Sequence, residues 1–424
     1  MYDAVFSHMD FYLKSCYSLF RSEIQRIRIC MEKREDKRQL YVLIGRIAAF
    51  VGGLALVLLF SLLRTPVSIQ SIETEKVTNR KIRIMWTDEY DKAVKQYEVK
   101  RRNVDDQTNQ WEVISVVNSD RKVEGETLYV EDVLNHGLPQ QYVYRVDVKL
   151  ANKIGYTAET GKEQLASNVM ICLDPGHYAG RNTIEGEQSY GYAEGDFTLA
   201  LALEVKQILE EKYGIGVYMT RTTDHINIHG YRDVNLDNGN IHLRGMRAGQ
   251  KDCDMFISLH TNANSDNAHG YETCMQPIGM NKPMVLANTI ACEDERTIAI
   301  SNVIGTNLAK ANYDLETASV EEFITAEAGN VEEWTGPKND ALDTPGTVYY
   351  RFRTDLEEDV DYYGVLRGSA LVNKPGIIIE HGFHTVPEMR REAMEGNLKS
   401  IWANIDAYGI AYGFGFETEV EMTD

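Results

Sequence analysis

The hydrophobic positions of the chain fall into three zones, and each zone predicts a different kind of structure. Residues 47–63 form one unbroken apolar run (IAAFVGGLALVLLFSLL), which is near the lower length limit for crossing about 30 Å of hydrocarbon. From about residue 67 to 165, apolar and polar residues alternate in short runs, which indicates strands of a small all-β sandwich. From about residue 168 onwards, apolar strands alternate with helical segments, which predicts an α/β sheet with helices on both faces.

The apolar run at 47–64 is interpreted as a single transmembrane helix, with a buried core helix and a cleavable signal peptide as alternatives. Leu62, Leu63, Arg64 and Thr65 offer no small-residue cleavage site, which disfavours a signal peptide. The preceding segment, residues 1–46, contains more Lys and Arg than Asp and Glu. The positive-inside rule therefore predicts a single-pass cell-membrane protein with a cytoplasmic N-terminus and everything after the anchor outside.

The alternating zone, residues 67–165, carries aromatic residues at characteristic places. Tyr142 follows Leu138 and Pro139 at the entry to a predicted strand, in the segment LPQQYVYRV. This arrangement is similar to the tyrosine corner of fibronectin type III domains, in which Trp86 and Tyr97 would be core aromatics. The strands expected here are 81–86, 96–101, 111–117 and 141–150. No cluster of titratable residues occurs in this zone, so we expect it to act as a spacer or a binding domain.

In the last zone, the apolar runs 169–173, 216–220, 255–259 and 376–380 are predicted to be strands. Residues 197–213 carry Leu201, Val205 and Leu209 at helical spacing before Gly214, and 398–412 has the pattern of a closing helix. Ligands of such sheets lie beyond the carboxyl ends of the strands. Functional residues are therefore expected where these strands end.

The overall charge excludes one class of partner. The chain has 44 Lys and Arg against 64 Asp and Glu, a formal net charge of −20, which argues against nucleic acid as a partner. This acidity is interpreted as solubilising the part of the chain after the anchor. The six cysteines show no CxxC spacing, which disfavours a disulfide framework and leaves open only a Cys274 to Cys292 bridge.

Polar residues that can bind a metal stand at the ends of the predicted elements. His177, His260 and Glu380 each end an apolar strand, and Glu194 opens the first long helix. Two histidines and a carboxylate form a standard catalytic zinc set, because three protein ligands leave one position of the tetrahedron open for water. Glu380 fits the general base and acid that such chemistry requires. A single strand-end histidine is more often a surface or core residue, so the interpretation rests on their convergence.

Four motifs containing these residues, LDPGH, GYAE, ISLHTNAN and IIIEHGF, occur in the order and spacing of a known family. The region from about 168 to 413 resembles the catalytic domain of zinc-dependent N-acetylmuramoyl-L-alanine amidases of the type-3 class. The resemblance implies a catalytic domain at 168–415 in which His177, Glu194 and His260 bind one Zn²⁺ and Glu380 is the catalytic carboxylate. It also implies peptidoglycan as the substrate, cleaved at the amide between the lactyl group of N-acetylmuramic acid and L-alanine.

The chain departs from that family's usual pattern in several places. Tyr178 replaces the glycine that usually follows the first histidine, Gly249 stands where asparagine is common, and GFHT at 382–385 lacks the usual final asparagine. None of these is a proposed ligand. Side chains expected to support the ligands or contact substrate are Asp174, Arg221, Arg244, His381 and His384, with structural roles favoured for the two arginines.

An insertion at about 275–360 makes the last zone longer than its strands and helices require. Long loops of this kind are usually functional or disordered, so the insertion is interpreted as a lid or regulatory segment on which a protein activator could act. Within the amidase interpretation, a cortex amidase specific to sporulation or germination is the main alternative. The alternatives outside it are a catalytically inactive wall-binding scaffold, an unrelated metallopeptidase and a sugar deacetylase.

Overall fold

The computed structural model describes most of the chain after residue 36. The described residues are 25, 37–62, 64–87, 93–106, 108–119, 126–134, 137–151, 156–263, 282–319, 322–325, 330–334, 346–356, 359–416 and 420. The chain divides into two compact units, one of residues 1–67 with 152–157 and the other of residues 68–151 with 158–424. Each unit is treated separately below.

The helices and strands follow one another in a fixed order along the chain. In chain order they are α1 (Lys37–Leu62), β1 (Thr65–Val67), β2 (Ile72–Thr78), β3 (Lys81–Thr87), β4 (Val94–Asn103), β5 (Glu112–Asn118), β6 (Thr127–Val133), β7 (Gln141–Leu150), β8 (Tyr156–Ala158), β9 (Glu163–Ser167), β10 (Met170–Pro175), α2 (Glu194–Tyr213), β11 (Gly216–Met219), β12 (Asn227–Ile228), β13 (Tyr231–Arg232), α3 (Val234–Asp237), α4 (His242–Gln250), β14 (Met255–Asn262), β15 (Met284–Ala287), α5 (Glu295–Ala311), β16 (Val331–Glu333), β17 (Val348–Tyr350), α6 (Gly364–Leu371), β18 (Gly376–Phe383), α7 (Pro387–Met394) and α8 (Leu398–Gly413). Short 3₁₀ turns occur at Glu187–Ser189, Ala291–Glu293 and Leu315–Thr317.

The first unit contains α1 and the strand pair of β1 with β8. Helix α1 includes most of the run predicted as a membrane anchor, residues 47–64, although many of its side chains lie outside the described set. Within the part of the chain that is described, none of the helices combines the length and the apolar character that crossing a membrane requires. The prediction of a transmembrane anchor therefore has no support from the structure.

The β-rich part of the second unit consists of two antiparallel sheets. One has the order β2-β3-β6 and the other β5-β4-β7-β9. Trp86 on β3 and Tyr97 on β4 are both buried, with ring centroids 5.7 Å apart. Aromatic pairs at this distance stabilise a core by more than their buried area alone. The likeness of this part to a fibronectin type III domain stays a prediction.

The α/β part of the second unit is built on a seven-stranded sheet with the order β11-β10-β14-β18-β15-β17-β16. Strands β11, β10, β14 and β18 are parallel neighbours, whereas β15 runs antiparallel to β18. Helices α2, α5 and α8 pack on one face over the larger core, and α4 and α6 pack on the other. The predicted mixed α/β fold with a central sheet is confirmed.

The start of α2 decides where one proposed ligand lies. The helix begins at Glu194, which the sequence analysis placed at its opening, three residues before the stretch of apolar spacing at 197–213. Its other end matches the prediction, since Gly214 caps the helix with a positive φ of 64°. A Cβ atom at Gly214 would lie 2.7 Å from the Cα of Ala166, so both the conformation and the close approach require glycine there.

The described part of the predicted insertion belongs to the same sheet. Residues 282–319 and 346–356 contribute β15, α5 and β17, and β17 pairs with β15 and with the short strand β16. The expectation of a long irregular loop is therefore wrong for these residues. Other parts of the proposed lid or regulatory segment, residues 275–281, 320–321, 326–329, 335–345 and 357–358, lie outside the described residues, as does Cys274, whereas Cys292 is a free thiol.

Candidate active site

Two neighbouring strands bring His260 and Glu380 side by side. Strands β14 and β18 are parallel, and His260 is the register partner of Glu380. Strand β14 continues past His260 to Asn262 instead of ending at the histidine. Its register with β18 shifts between these two residues. Both side chains therefore lie at the carboxyl edge of the sheet, where ligands of such sheets bind.

His177 reaches the same edge through a tight turn after β10. Its backbone adopts a left-handed conformation with φ of 58°, which is uncommon for a residue with a Cβ atom. The preceding Gly176 lies against β14, and a Cβ atom there would be 2.5 Å from Cε1 of His260. The turn thus holds the two imidazoles close together, with ring centroids 4.9 Å apart and the planes at 86°.

Glu194 completes the cluster from the first turn of α2. Its Oε2 lies 3.4 Å from Nε2 of His177, and its Oε1 lies 3.1 Å from Nδ1 of His260. One ligand atom from each of the three residues lies within 4.8 Å of the others. The structure therefore brings together the three residues that the sequence proposed as metal ligands.

The Glu194 carboxylate is buried and held by donors on both oxygens. The backbone N–H of Thr261 donates to Oε1 over 3.0 Å, and the Asn182 side chain donates to Oε2 over 2.6 Å. Burial by itself would raise the pKa of Glu194, but hydrogen bonds with His177 and His260 outweigh it and hold the pKa well below its usual range. The carboxylate is therefore ionised and available as a ligand.

The surroundings of His177 and His260 shift the pKa values of the two histidines in opposite directions. Burial lowers the pKa of His260 below its usual value. Burial also opposes charge on His177, but hydrogen bonds to Asp237 and Glu194 outweigh it and raise the pKa of His177 to about 9. A metal ion binding here therefore has to displace a proton from His177.

Glu380 lies in a different environment from Glu194. Its Oε2 is shielded from solvent and accepts no hydrogen bond from any of the described residues. Burial, with the nearby Glu194 charge in addition, raises the pKa of Glu380 to about 8. A carboxyl group with a pKa near neutrality can both accept and donate a proton at physiological pH.

Asp174 and Arg244 are tied to each other below the cluster. Asp174 is fully buried and accepts from Nε of Arg244 over 2.9 Å and from Oγ of Ser258 over 2.7 Å. Arg221 donates to the carbonyls of Pro175, Gly176 and Gly195. These contacts join the His177 turn to the start of α2, and none of them leaves Asp174 or Arg221 open to a substrate.

His381, in β18, and His384, directly after it, both contact residues of β14. Nδ1 of His381 is 2.9 Å from the carbonyl of His260, and Nε2 is 2.8 Å from Asp406 on α8. Nδ1 of His384 is 3.1 Å from Oγ1 of Thr261, and burial lowers the pKa of His384. His381 therefore links β14, β18 and α8, and His384 supports the residue whose N–H bonds to Glu194.

Two residues of the site carried no sequence signal. Asp237, at the end of α3, places Oδ2 3.3 Å from Nδ1 of His177. Asn182, in the loop before α2, contacts both Glu194 and His177. Asn182 stands in a loop and Asp237 in a four-residue helix, and the position of each depends on the folded chain, so no periodicity or motif could have identified them.

A comparison with protein-family models identifies one family for this chain. The model of a family described as N-acetylmuramoyl-L-alanine amidase matches residues 171–412, which is more than half of the chain. No curated protein shows a significant sequence match.

The chain is also similar to several solved structures, each over somewhat more than half of its length. The catalytic domain of CwlV, an N-acetylmuramoyl-L-alanine amidase from Bacillus (Paenibacillus) polymyxa var. colistinus, is 18% identical, with 58% of this chain and 99% of that chain covered and a TM-score of 0.37. Cwp6 from Clostridium difficile is 22% identical, with 58% and 29% covered and a TM-score of 0.38. The CwlD amidase from Clostridioides difficile, in complex with the GerS lipoprotein, is 15% identical, with 58% and 98% covered and a TM-score of 0.36.

Proposed function

The chain belongs to the N-acetylmuramoyl-L-alanine amidase family, and from that premise we propose that it is a zinc-dependent hydrolase of peptidoglycan. The bond cleaved is the amide between the lactyl group of N-acetylmuramic acid and L-alanine of the stem peptide. The observation that carries the proposal is the convergence of His177, Glu194 and His260 beside Glu380 at one edge of the sheet.

The donor set fits Zn²⁺. Two imidazole nitrogens and one carboxylate oxygen are the ligands of many catalytic zinc sites, and three protein ligands leave one position open. The depressed pKa values of Glu194 and His260 leave both groups unprotonated, as metal ligands have to be. Zinc, when bound, would supply Lewis acidity at the scissile carbonyl and lower the pKa of a water molecule.

Glu380 carries the proton transfers in this mechanism. Its shielded Oε2 has no partner within the described residues, so it can accept the proton of the attacking water. The same oxygen can then donate that proton to the leaving nitrogen of L-alanine. The pKa of about 8 keeps both states accessible near neutral pH.

The test compares wild-type full chain with Glu380→Gln. We expect both proteins to bind about one zinc, and the variant to lose roughly 10²–10⁴-fold in the rate of stem-peptide release from purified wall. Glu388→Gln is the matched control, because Glu388 on α7 also has a shielded, unpartnered Oε2 but belongs to no part of the cluster. Metal content and muropeptide mass spectrometry are the measurements.

Two outcomes count against the proposal. If wild type binds no zinc and leaves purified wall intact, the inactive scaffold becomes the better interpretation. If Glu380→Gln cleaves as fast as the Glu388→Gln control, Glu380 is not the proton carrier. Release of free acetate instead of stem peptides would indicate a sugar deacetylase.

The location and partners of the protein belong to the same proposal. An extracytoplasmic position of the catalytic part is proposed because its substrate is the wall. Muropeptide analysis of a deletion strain would separate a role in vegetative wall turnover or daughter-cell separation from a role in sporulation or germination. A protein activator acting on residues 275–360 stays a prediction.

A further inference from the structure

The carboxylate of Asp237 stands directly behind the imidazole of His177. We propose that Asp237, in the excursion between β11 and α4 (residues 225–240), is a positioning residue that fixes the His177 ring for the metal. This inference rests on the proposed function, because it assumes that His177 is a metal ligand. It goes beyond the proposed function by assigning a task to Asp237, which supplies no ligand itself.

The two nitrogens of His177 face different partners. Nε2 lies 3.4 Å from Oε2 of Glu194, on the side of the cluster. Nδ1 lies on the other side, 3.3 Å from Oδ2 of Asp237. A histidine that binds a metal through one nitrogen usually donates its other N–H to a carboxylate or carbonyl, which fixes both the tautomer and the ring plane. Asp237 therefore selects the tautomer with hydrogen on Nδ1 and the lone pair on Nε2.

Asp237 is itself held in place by a buried arginine. Nη1 of Arg244 donates to Oδ1 of Asp237 over 3.2 Å and to the carbonyl of His177 over 3.0 Å. Nε of the same side chain donates to Asp174 at the end of β10, and Arg244 is only 1% exposed. One guanidinium thus sets the distance between the His177 backbone and the carboxylate that orients the His177 ring.

A small apolar cluster anchors the excursion that carries Asp237. Ile226, Ile228 and Leu236 are buried against one another, and Tyr178 and Leu243 pack against them. Tyr178 is the residue that follows His177. The excursion is therefore attached to the His177 turn by apolar packing as well as through Asp237.

His177 has greater need of such support than the other histidine ligand. It stands on a turn with positive φ, whereas His260 lies within a strand between two parallel neighbours. The His177 side chain is also the more exposed of the two, 22% against 16%. Without Asp237, the described residues offer no other carboxylate to Nδ1 of His177.

The test is zinc affinity of the full chain, measured by competition with a chromogenic chelator. We expect Asp237→Ala to weaken zinc binding by roughly 10–100-fold, and Asp237→Asn, which keeps an acceptor oxygen, to weaken it less. Asp233→Ala is the matched control. Asp233 lies in the same excursion, where its side chain pairs with His225 over 2.9 Å and accepts from the backbone N–H of Ile226 over 3.0 Å, and these contacts involve none of the three ligands. The control should bind zinc within about twofold of wild type.

A second measurement separates orientation from a general structural role. The absorption spectrum of the Co²⁺-substituted protein reports the geometry around the metal, and we expect it to change in Asp237→Ala and to be restored most of the way in Asp237→Asn. If Asp237→Ala does not fold, as judged by circular dichroism, Asp237→Asn with its nearly identical shape carries the test through both measurements.

Three results would overturn the inference. Folded Asp237→Ala could bind zinc as tightly as wild type, Asp233→Ala could lose as much affinity as Asp237→Ala, or the Co²⁺ spectra could be identical throughout. These failures are distinct from failure of the proposed function, in which wild type itself would bind no zinc and cleave no wall.

Discussion

At the scale of single residues, the site separates two glutamates by their surroundings. Glu194 accepts hydrogen bonds on both oxygens and is ionised, whereas Glu380 has a shielded oxygen to which no residue in the described part of the chain donates. The same side-chain chemistry therefore gives one permanent anion and one group that titrates near neutrality. Pairs of carboxyl groups whose environments separate their pKa values are typical of acid and base assignments in enzymes.

The raised pKa of Glu380 predicts how the stability of the metal-free protein depends on pH. The ordinary pKa of a glutamate is 4.5, and the pKa of Glu380 in the folded protein is about 8. Between these two pH values, the folded protein holds a proton on Glu380 that the unfolded chain has released. The Glu380 contribution to the free energy of unfolding therefore falls as pH rises through this window. We expect Glu380→Gln to gain stability relative to wild type between those two values, measured by urea unfolding in the presence of a chelator.

The comparison with wild type isolates this group, because the other titrating residues are common to both proteins. Glu388→Gln, measured in parallel, should show a difference from wild type that does not grow across the window. If the difference in free energy of unfolding between Glu380→Gln and wild type also stayed constant across this pH window, the raised pKa assigned to Glu380 would be wrong.

At the scale of elements, the start of α2 is packed directly on the His177 turn. A Cβ atom at Gly195 would lie 1.9 Å from the carbonyl oxygen of Tyr178. The helix that carries Glu194 and the turn that carries His177 are therefore too close at this point for a side-chain atom to fit between them. The glycine is needed for space rather than for an unusual backbone angle.

Gly195→Ala is expected to force these two elements apart. Overpacking of this kind costs roughly 1–3 kcal/mol of stability, and the shift would also separate Glu194 from His177. We expect a lower urea midpoint and weaker zinc binding. Gly239→Ala provides the control, because no atom lies within 4 Å of a Cβ at that position. Equal zinc affinity in both variants would show that the contact has room to relax.

The sequence predicted the main elements because their signals are local. The apolar runs of β10, β14 and β18 and the spacing of Leu201, Val205 and Leu209 in α2 each occupy enough residues to be recognised. The three-residue strands β16 and β17 do not, since their pairing depends on the sheet edge that β15 provides. Asp237 was missed for the same reason, because its place beside His177 is set by folding of a whole excursion.

At the scale of the whole second unit, the antiparallel sheets and the α/β part share a polar junction. Lys76 on β2 donates to the carbonyl of Ser167, and Asn79 donates to Asp254 over 3.4 Å. Asp254 in turn accepts from the backbone N–H of Met170 over 2.7 Å, at the start of β10. The junction thus reaches the first strand of the site.

The junction gives the unit a second dependence on pH, opposite in direction to that of Glu380. Burial lowers the pKa of Lys76 from 10.5 to about 7, in spite of the nearby Asp254. Between these values the unfolded chain binds the proton and the folded protein does not, so the Lys76 contribution to stability rises with pH. We expect the free energy of unfolding of Lys76→Met to exceed that of wild type by less and less as pH rises from about 7 to about 10.5. Urea unfolding measures this difference.

Lys81→Met is the control for this prediction. Lys81 lies on the neighbouring strand β3, with its side chain 37% exposed and paired with Glu131 over 3.0 Å. The difference between Lys81→Met and wild type should stay constant over the same range. If the stability difference from wild type changed with pH in the same way for Lys76→Met and Lys81→Met, Lys76 would be fully hydrated in the folded protein.

The strand order has a further consequence for how the protein opens. Strands β10, β14 and β18, from which His177, His260 and Glu380 come, each have a hydrogen-bonded neighbour on both sides. Edge elements fray at a small cost, whereas central strands separate only when the whole cooperative unit does. On the side of β18, the edge strand that would fray first is β16, and strands β15 and β17 separate it from β18. We therefore expect strands β10, β14 and β18 to separate only on global unfolding, whereas the His177 turn and the start of α2 lie outside their hydrogen-bonded pairs.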